Sequence, residues 1–148
     1  GGSTTPPTAG CSPSTTNLCI TVVGGKYVVQ NSSSAGVSQK TLTLNAGTYT
    51  FDQTDSSNVT SGGAYGSARI HQIGFSTTSD GTHGGGSAYS TGVNTSGSPG
   101  SNGKTTIVID ASTPSTLYYY CVNHTGMGGT INIVIGNQSD QVEFTETN

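Results

Sequence analysis

Hydrophobic and polar residues alternate along most of this chain, in short runs separated by clusters of Gly, Ser, Asn and Asp. Alternation with a period of two is typical of β-strands that bury one face. No segment keeps an apolar period of about 3.6 residues, so we expect no long helix, only a short helix or turn near Ala111 to Ser115. The runs that predict strands are LCITVV, KYVVQ, TLTL, TYTF, RIHQIGF, TTIVID, TLYYYCV, TINIVI and QVEFT. Their number and spacing predict an all-β sandwich or barrel.

The longest polar stretch runs from Ser76 to Asn102 and contains GGG, SGSPGS and NG. Clusters of glycine and small polar residues interrupt regular structure, so this stretch is expected to be a loop or hairpin excursion. Two uses remain open for it, a tolerated surface insertion or a surface that binds a partner.

Residues 1–16 form a lead rich in Pro, Ser and Thr, and residues 17–148 are expected to form a single β-sandwich domain. A chain of 148 residues lies in the usual range for one domain. The lead lacks the charged and apolar regions of a signal peptide, so we expect a chain already processed or excised from a longer one. It is either a flexible spacer or an arm that adds a strand to a neighbouring subunit.

The composition argues against nucleic-acid and membrane partners. Only 7% of residues are charged, the formal net charge is −3, and the few Lys and Arg residues are scattered. A duplex binder needs clustered cations to displace counterions. There is also no long apolar run or basic amphipathic segment, so membrane insertion is not expected. The abundance of Ser, Thr, Gly and Asn favours an extracellular location, on a cell surface or a virion surface.

The three cysteines divide into a close pair, Cys11 and Cys19, and the distant Cys121. A disulfide between Cys11 and Cys19 would close a short loop and would require an oxidising compartment. Cys121 would then be an unpaired thiol, which coordination to a metal would protect. Pairing of Cys121 with either of the others stays open, and it would abolish a metal site there.

Candidate metal chemistry is concentrated in the segment LYYYCVNHTGMGG, where Cys121, His124 and Met127 lie within seven residues. Two imidazoles, one thiolate and a weak axial thioether form a site that suits copper in both oxidation states. Each residue alone has an ordinary explanation, such as a small core thiol, a solvated loop imidazole or a core thioether. Their joint occurrence is harder to dismiss, because the chain has one Met, three His and three Cys in total.

The second imidazole has two candidates, His71 and His83. His71 lies in IHQIGF, an apolar-flanked run that predicts a buried strand, whereas His83 lies in the glycine-rich DGTHGGG. A strand positions its side chain in advance, and a glycine-flanked histidine would lose more conformational entropy on binding. We therefore predict that His71 is the ligand.

The ordered set His71, Cys121, His124 and Met127 resembles the ligands of the cupredoxins, or blue copper proteins. Phe75 after His71 is similar to the strand phenylalanine of that family, and the aromatic-Cys-x-x-His segment also matches. The resemblance covers about residues 40–136 and implies a Greek-key β-sandwich with one mononuclear type 1 copper site. The spacing His-x-x-Met is shorter than in plastocyanin-like members and is found in amicyanin-like ones, which makes Met127 the least certain ligand.

A second resemblance is local and concerns the segments TYTFDQTDSSN, GFSTTSDGTHGGGSAYSTGV and LYYYCVNHTGMGG. They are similar to modules in structural and fibre proteins of marine bacterial viruses and in some microbial surface proteins. This resemblance implies a role in assembly, through self-association or binding to other structural subunits.

Enzymatic chemistry finds little support in the sequence. There is no Gly-x-Ser-x-Gly elbow and no His-Glu-x-x-His pair, and Asp52 and Asp55 are expected in a loop or turn, with calcium binding a weak alternative. Four protein ligands leave copper no open position for a substrate. The sequence therefore predicts a non-enzymatic, copper-binding β-sandwich, a module or subunit of a larger surface or virion assembly with an unknown redox partner. The alternative is a purely structural filament, fibre or sheath subunit without metal.

Overall fold

The computed structural model describes residues 11–32, 34–60 and 69–135. These residues contain two single-turn 3-10 helices, Ser56–Asn58 and Gly81–Gly84, and neither could span a bilayer. The rest of the regular structure is strand, in the order β1 (Asn17–Val23), β2 (Lys26–Gln30), β3 (Val37–Ser38), β4 (Leu42–Leu44), β5 (Gly47–Gln53), β6 (Val59–Thr60), β7 (Arg69–Ile70), β8 (Ile73–Ser76), β9 (Val93–Ser96), β10 (Gly103–Ile109), β11 (Thr116–Cys121) and β12 (Gly129–Ile133).

Two main sheets form the fold. One has six strands in the order β3-β2-β1-β5-β10-β9, and the other has four in the order β4-β12-β11-β8. Strands β6 and β7 form a small separate ladder. The pairs β1–β5 and β4–β12 are parallel, and the remaining pairs are antiparallel. The predicted all-β sandwich is confirmed, whereas its Greek-key path of cupredoxin type stays a prediction.

The core lies between the two main sheets and is built by the alternation seen in the sequence. In β10, Thr105, Ile107 and Ile109 are buried while the residues between them are more exposed. The rings of Phe51 and Phe75 meet edge to face across the core, with centroids 5.1 Å apart, a favourable aromatic geometry. The core also includes Leu18, Ile20, Tyr27, Val29, Leu42, Leu44, Tyr49, Ile73, Leu117, Tyr119, Cys121, Met127, Ile131 and Ile133.

The predicted strand RIHQIGF is interrupted at its centre. Strand β7 ends at Ile70 and β8 begins at Ile73, so His71 lies in a break between two strands rather than inside one. In this break, side chains rather than a neighbouring strand bind the backbone carbonyl of His71. The carbonyl oxygen of His71 accepts hydrogen bonds from the Tyr27 hydroxyl and from Nε2 of Gln53. The expectation of a continuous strand through His71 was therefore wrong, although its burial was predicted correctly.

The polar stretch from Ser76 to Asn102 forms an excursion with some regular structure of its own. Strand β9 lies within it and pairs antiparallel with β10, with Val93 opposite Ile107. The expected hairpin is thus confirmed. The segment near Ala111 to Ser115 is a turn, in which the Thr113 N–H donates to the Asp110 carbonyl.

The cysteines divide as the sequence suggested. Cys11 and Cys19 form a disulfide, and Cys121 is a free, buried thiol. The disulfide joins the end of the predicted lead to β1. The predicted strand QVEFT and most of the lead lie outside the described residues, so the proposed division at residue 16 stays a prediction.

Candidate metal centre

Three predicted ligands come together in the structure. The nitrogen and sulfur atoms that His71, Cys121 and His124 offer to a metal all lie within 4.8 Å of one another. Cys121 is the last residue of β11, and His124 lies in the loop that follows. Strand β11 pairs with β8 so that Cys121 lies opposite Ile73, which brings the break containing His71 next to the thiol.

The spacing of these atoms fits a single ion. Sγ of Cys121 lies 3.8 Å from Nδ1 of His71 and 3.6 Å from Nδ1 of His124. A first-row metal such as zinc bonds nitrogen at about 2.0–2.1 Å and thiolate sulfur at about 2.3 Å. At tetrahedral to trigonal angles these bonds place nitrogen and sulfur about 3.5–3.8 Å apart. Each imidazole nitrogen therefore lies from the thiol sulfur at the distance expected of two ligands that share one ion.

The fourth predicted ligand, Met127, lies close to this cluster. Its side chain is buried, with 2% of its surface exposed, and it belongs to the hydrophobic core. Met127, His71 and His124 line one cavity of about 340 Å³. Met127 therefore shares a cavity with both imidazoles, and its ligation stays a prediction.

His83, the rejected candidate, does not join the cluster. Its Nε2 lies 2.9 Å from the carbonyl oxygen of Cys121, and its ring meets the Tyr120 ring edge to face at a centroid distance of 6.1 Å. His83 therefore contacts the backbone of a candidate ligand. Nothing in the sequence pattern around His83 indicated this contact.

A second hydrogen bond orients the ring of His71. Its Nε2 lies 3.2 Å from Oγ1 of Thr60, while Nδ1 faces the sulfur of Cys121. Histidine ligands of metals usually engage their other ring nitrogen in this way, which fixes the tautomer and the ring orientation. Thr60 lies on β6, and sequence reasoning did not find it because a lone threonine carries no pattern.

A buried polar network holds the backbone on which His71 is carried. Nε2 of Gln53 donates to Oδ1 of Asn58 at 2.8 Å, and Oε1 of Gln53 accepts from the N–H of Ile73 at 3.0 Å. Asn58 in turn accepts, through its carbonyl, a 2.9 Å bond from the N–H of His71. Both polar side chains are almost fully buried, and such groups are stable only when their partners are satisfied. This network fixes the break between β7 and β8 in one conformation.

The electrostatic environment favours the neutral form of the His71 imidazole. Burial lowers the pKa of His71 below its ordinary value, and the neighbouring His124 and Arg69 lower it further. A neutral imidazole is the form that binds metals. Burial, reinforced by Cys121, raises the pKa of Tyr27, so its hydroxyl stays protonated and donates to the His71 carbonyl.

The calcium alternative at Asp52 and Asp55 finds no support in the described residues. Asp52 lies in β5 rather than in a turn, and its carboxylate accepts from the N–H and the hydroxyl of Thr54. Asp55 caps the first 3-10 helix through the N–H of Ser57. Within the described ranges, the cluster at Cys121 is the one group of three or more His, Cys, Asp or Glu spaced for an ion.

No protein-family model matches the chain, and no curated protein is significantly similar to it in sequence. Its chemistry therefore has to be inferred from the geometry of the His71, Cys121 and His124 cluster.

Proposed function

We propose that this chain is an extracellular copper-binding β-sandwich of cupredoxin type, and that it serves as a module or subunit of a larger surface or virion assembly. The observation that carries the copper proposal is the placement of two Nδ1 atoms at 3.6 and 3.8 Å from one buried thiol. A buried cysteine that only fills space in a core does not require two imidazole nitrogens next to its sulfur.

The donor set favours copper over zinc. Zinc accepts thiolate and imidazole equally well, and it prefers a fourth ligand at normal bonding distance. Two histidines and one cysteine with a nearby thioether form the donor set typical of copper electron-transfer sites. Met127 is the thioether that this set requires, and it lines the same cavity as both histidines.

Bound copper would supply a one-electron couple between Cu(II) and Cu(I). The chain's own residues would hold the donors in one arrangement for both states, because Thr60 orients His71 and the sandwich fixes Cys121 at the end of β11. The Cys121 side chain is fully buried, which excludes water from the sulfur, while His124 is partly exposed. His124 is therefore the ligand through which an electron would enter or leave. This arrangement supports electron transfer or copper storage rather than turnover.

The deciding experiment is a visible absorption spectrum of the oxidised protein after addition of Cu(II). We expect an intense charge-transfer band toward the red end of the spectrum, and we expect Cys121→Ser to abolish it. Addition of excess Zn(II) should leave the preformed band in place, since copper binds such sites more tightly than zinc does. A wild-type protein that takes up no copper, or binds it without this band, would overturn the proposal.

The second candidate is a structural filament, fibre or sheath subunit without metal. Strand β3 is one of the two edge strands of the six-stranded sheet in the described part of the chain, and its Val37 is 46% exposed. An edge strand with an exposed apolar residue can pair with a strand from another copy. Native mass spectrometry of apoprotein and copper-loaded protein separates the candidates. Copper-independent oligomers without the thiolate band support the structural role, and a monomer at high concentration contradicts both assembly proposals.

A further inference from the structure

The backbone around Met127 is held by an unusual number of contacts. The carbonyl of Met127 accepts a 2.9 Å hydrogen bond from the backbone N–H of Tyr27. Nε2 of Gln39 donates to the carbonyls on either side, at 3.1 Å to Gly126 and 2.8 Å to Gly128. Three consecutive carbonyls, centred on the candidate axial ligand, are thus bound from one side of the loop.

Gly126, the residue that precedes Met127, is held through both its carbonyl and its N–H. Nζ of Lys26 donates to the carbonyl of Gly126 at 2.9 Å. On the other side, the N–H of Gly126 lies 3.0 and 3.1 Å from the two carboxylate oxygens of Asp80. Hydrogen bonds to a carboxylate or an ammonium group are stronger than neutral ones. Asp80 and Lys26 therefore hold Gly126 between opposite charges.

Two of these residues adopt a costly backbone conformation. Gln39 has φ 49° and Asp80 has φ 61°, and they are the two non-glycine residues with positive φ in the described ranges. The left-handed region is unfavourable for a residue that carries a side chain. Such strain tends to persist at functional sites, where the surrounding structure imposes it. Here both strained residues direct their side chains to the same segment, Gly126 to Gly128.

We infer that Gln39 and Asp80 are positioning residues, which fix the backbone of Met127 and thereby set how closely its thioether approaches the plane of Cys121, His71 and His124. The inference rests on the proposed function. Methionine has three rotatable side-chain bonds and adapts easily to gaps, so its own side chain does little to define a bond length. An axial bond is weak and tunes the reduction potential of the copper. A rigid backbone is therefore the means by which this chain would define that potential.

The test uses variants that remove the side-chain bonds without adding strain. Gln39→Gly and Asp80→Gly each lose side-chain hydrogen bonds to the loop. Each also relieves the left-handed backbone, since glycine adopts positive φ freely. Relief of the left-handed backbone offsets part of the lost bonding, so we expect both apoproteins to remain folded. A merely structural role would predict no effect on copper properties at all.

Copper-loaded variants should keep the intense visible band but differ in their axial interaction. We expect the ratio of Cu(I) to Cu(II) affinity to rise about tenfold, which is about 59 mV for a one-electron couple, because weaker axial donation removes stabilisation from the more highly charged Cu(II). The copper hyperfine splitting in the EPR spectrum should change in parallel. In the apoprotein, amide hydrogen exchange at Gly126 and Met127 should become faster in both variants.

Matched controls remove comparable side-chain bonds elsewhere. Gln30→Ala loses a bond from Nε2 to the Ser34 carbonyl, and Asp110→Gly loses a carboxylate bond to the N–H of Ser112. Neither bond involves the ligand loop, so the potential of both controls should equal that of the wild type. A wild type without the thiolate band would overturn the proposed function and this inference together. Glycine variants with wild-type potential and EPR spectrum, in a protein that does show the band, would overturn this inference alone.

Discussion

Nδ1 of His71 lies 3.8 Å from Sγ of Cys121, although 50 residues separate them in the chain. The ladder between β8 and β11 brings them together, because it places Ile73 opposite Cys121. His124 needs no such strand pairing, because it lies three residues after Cys121 in the loop that follows β11. The two imidazoles reach the thiol from different directions, with ring centroids 4.7 Å apart and planes inclined by 50°.

The choice between the two candidate histidines can be tested directly. We expect His71→Ala to lose the copper–thiolate band, because it removes one of the three donors that converge on the site. His83→Ala should keep the band, since His83 contacts the carbonyl of Cys121 and the ring of Tyr120 and is not one of the clustered donors. Its apoprotein should lose about 0.5–1.5 kcal/mol of stability for one hydrogen bond. Visible spectra of both variants with Cu(II) measure this. The reverse pattern, with the band lost only in His83→Ala, would reassign the ligand.

The stability of the apoprotein should depend on pH through His71. Burial, with His124 and Arg69 nearby, lowers the pKa of His71 in the folded chain, whereas the unfolded chain keeps a value of about 6.5. The unfolded state therefore binds a proton at pH values where the folded state does not. The contribution of neutral His71 to the free energy of unfolding is intact above about pH 6.5. It is lost as the pH falls toward the lowered pKa of His71 in the folded chain.

Urea unfolding of the apoprotein at about pH 7.5 and about pH 5 measures this effect. Other groups titrate in the same window, so the informative quantity is the difference from His71→Gln, which carries no titratable ring. We expect the variant to lose less stability on acidification than the wild type. Equal losses in both proteins would show that His71 has no lowered pKa.

The disulfide should stabilise the fold without affecting the copper site. Cys11 and Cys19 are separated by 8 residues, and closing such a loop is worth about 2.5 kcal/mol in the chain-entropy treatment. We expect the double variant Cys11→Ala, Cys19→Ala to lose about that much in thermal or urea unfolding, and to keep the copper–thiolate band. Loss of the band in this variant would mean that the pair supports the ligand loop, contrary to the prediction.

The strands were predictable because burial on one face imposes a period of two on the sequence. The eight predicted runs that fall in the described residues all contain strand. The two-residue strands β3 and β6 were missed, since two residues are too few to show a period. Strand β9 was hidden in a stretch of Gly and Ser that is stabilised by pairing with β10 rather than by its own apolar residues.

The candidate ligands were predictable by type and order, because thiols, imidazoles and thioethers are rare in this chain. The residues that hold these ligands in place were not predictable from the sequence. Gln53, Asn58, Thr60 and Asp80 are ordinary polar residues in a chain full of them, and their roles depend on contacts between distant segments.

By itself, the sequence determined the all-β class and indicated the candidate donors of a metal site, and it left the pairing of the three cysteines open. Those properties follow from local periodicity, spacing and residue chemistry. Only the tertiary structure decided that His71 sits in a break between strands, that its Nδ1 faces Cys121, and that strained Gln39 and Asp80 hold the backbone of Met127. Such features arise from strand register and from side-chain contacts between distant parts of the chain, which leave no periodic trace in the sequence.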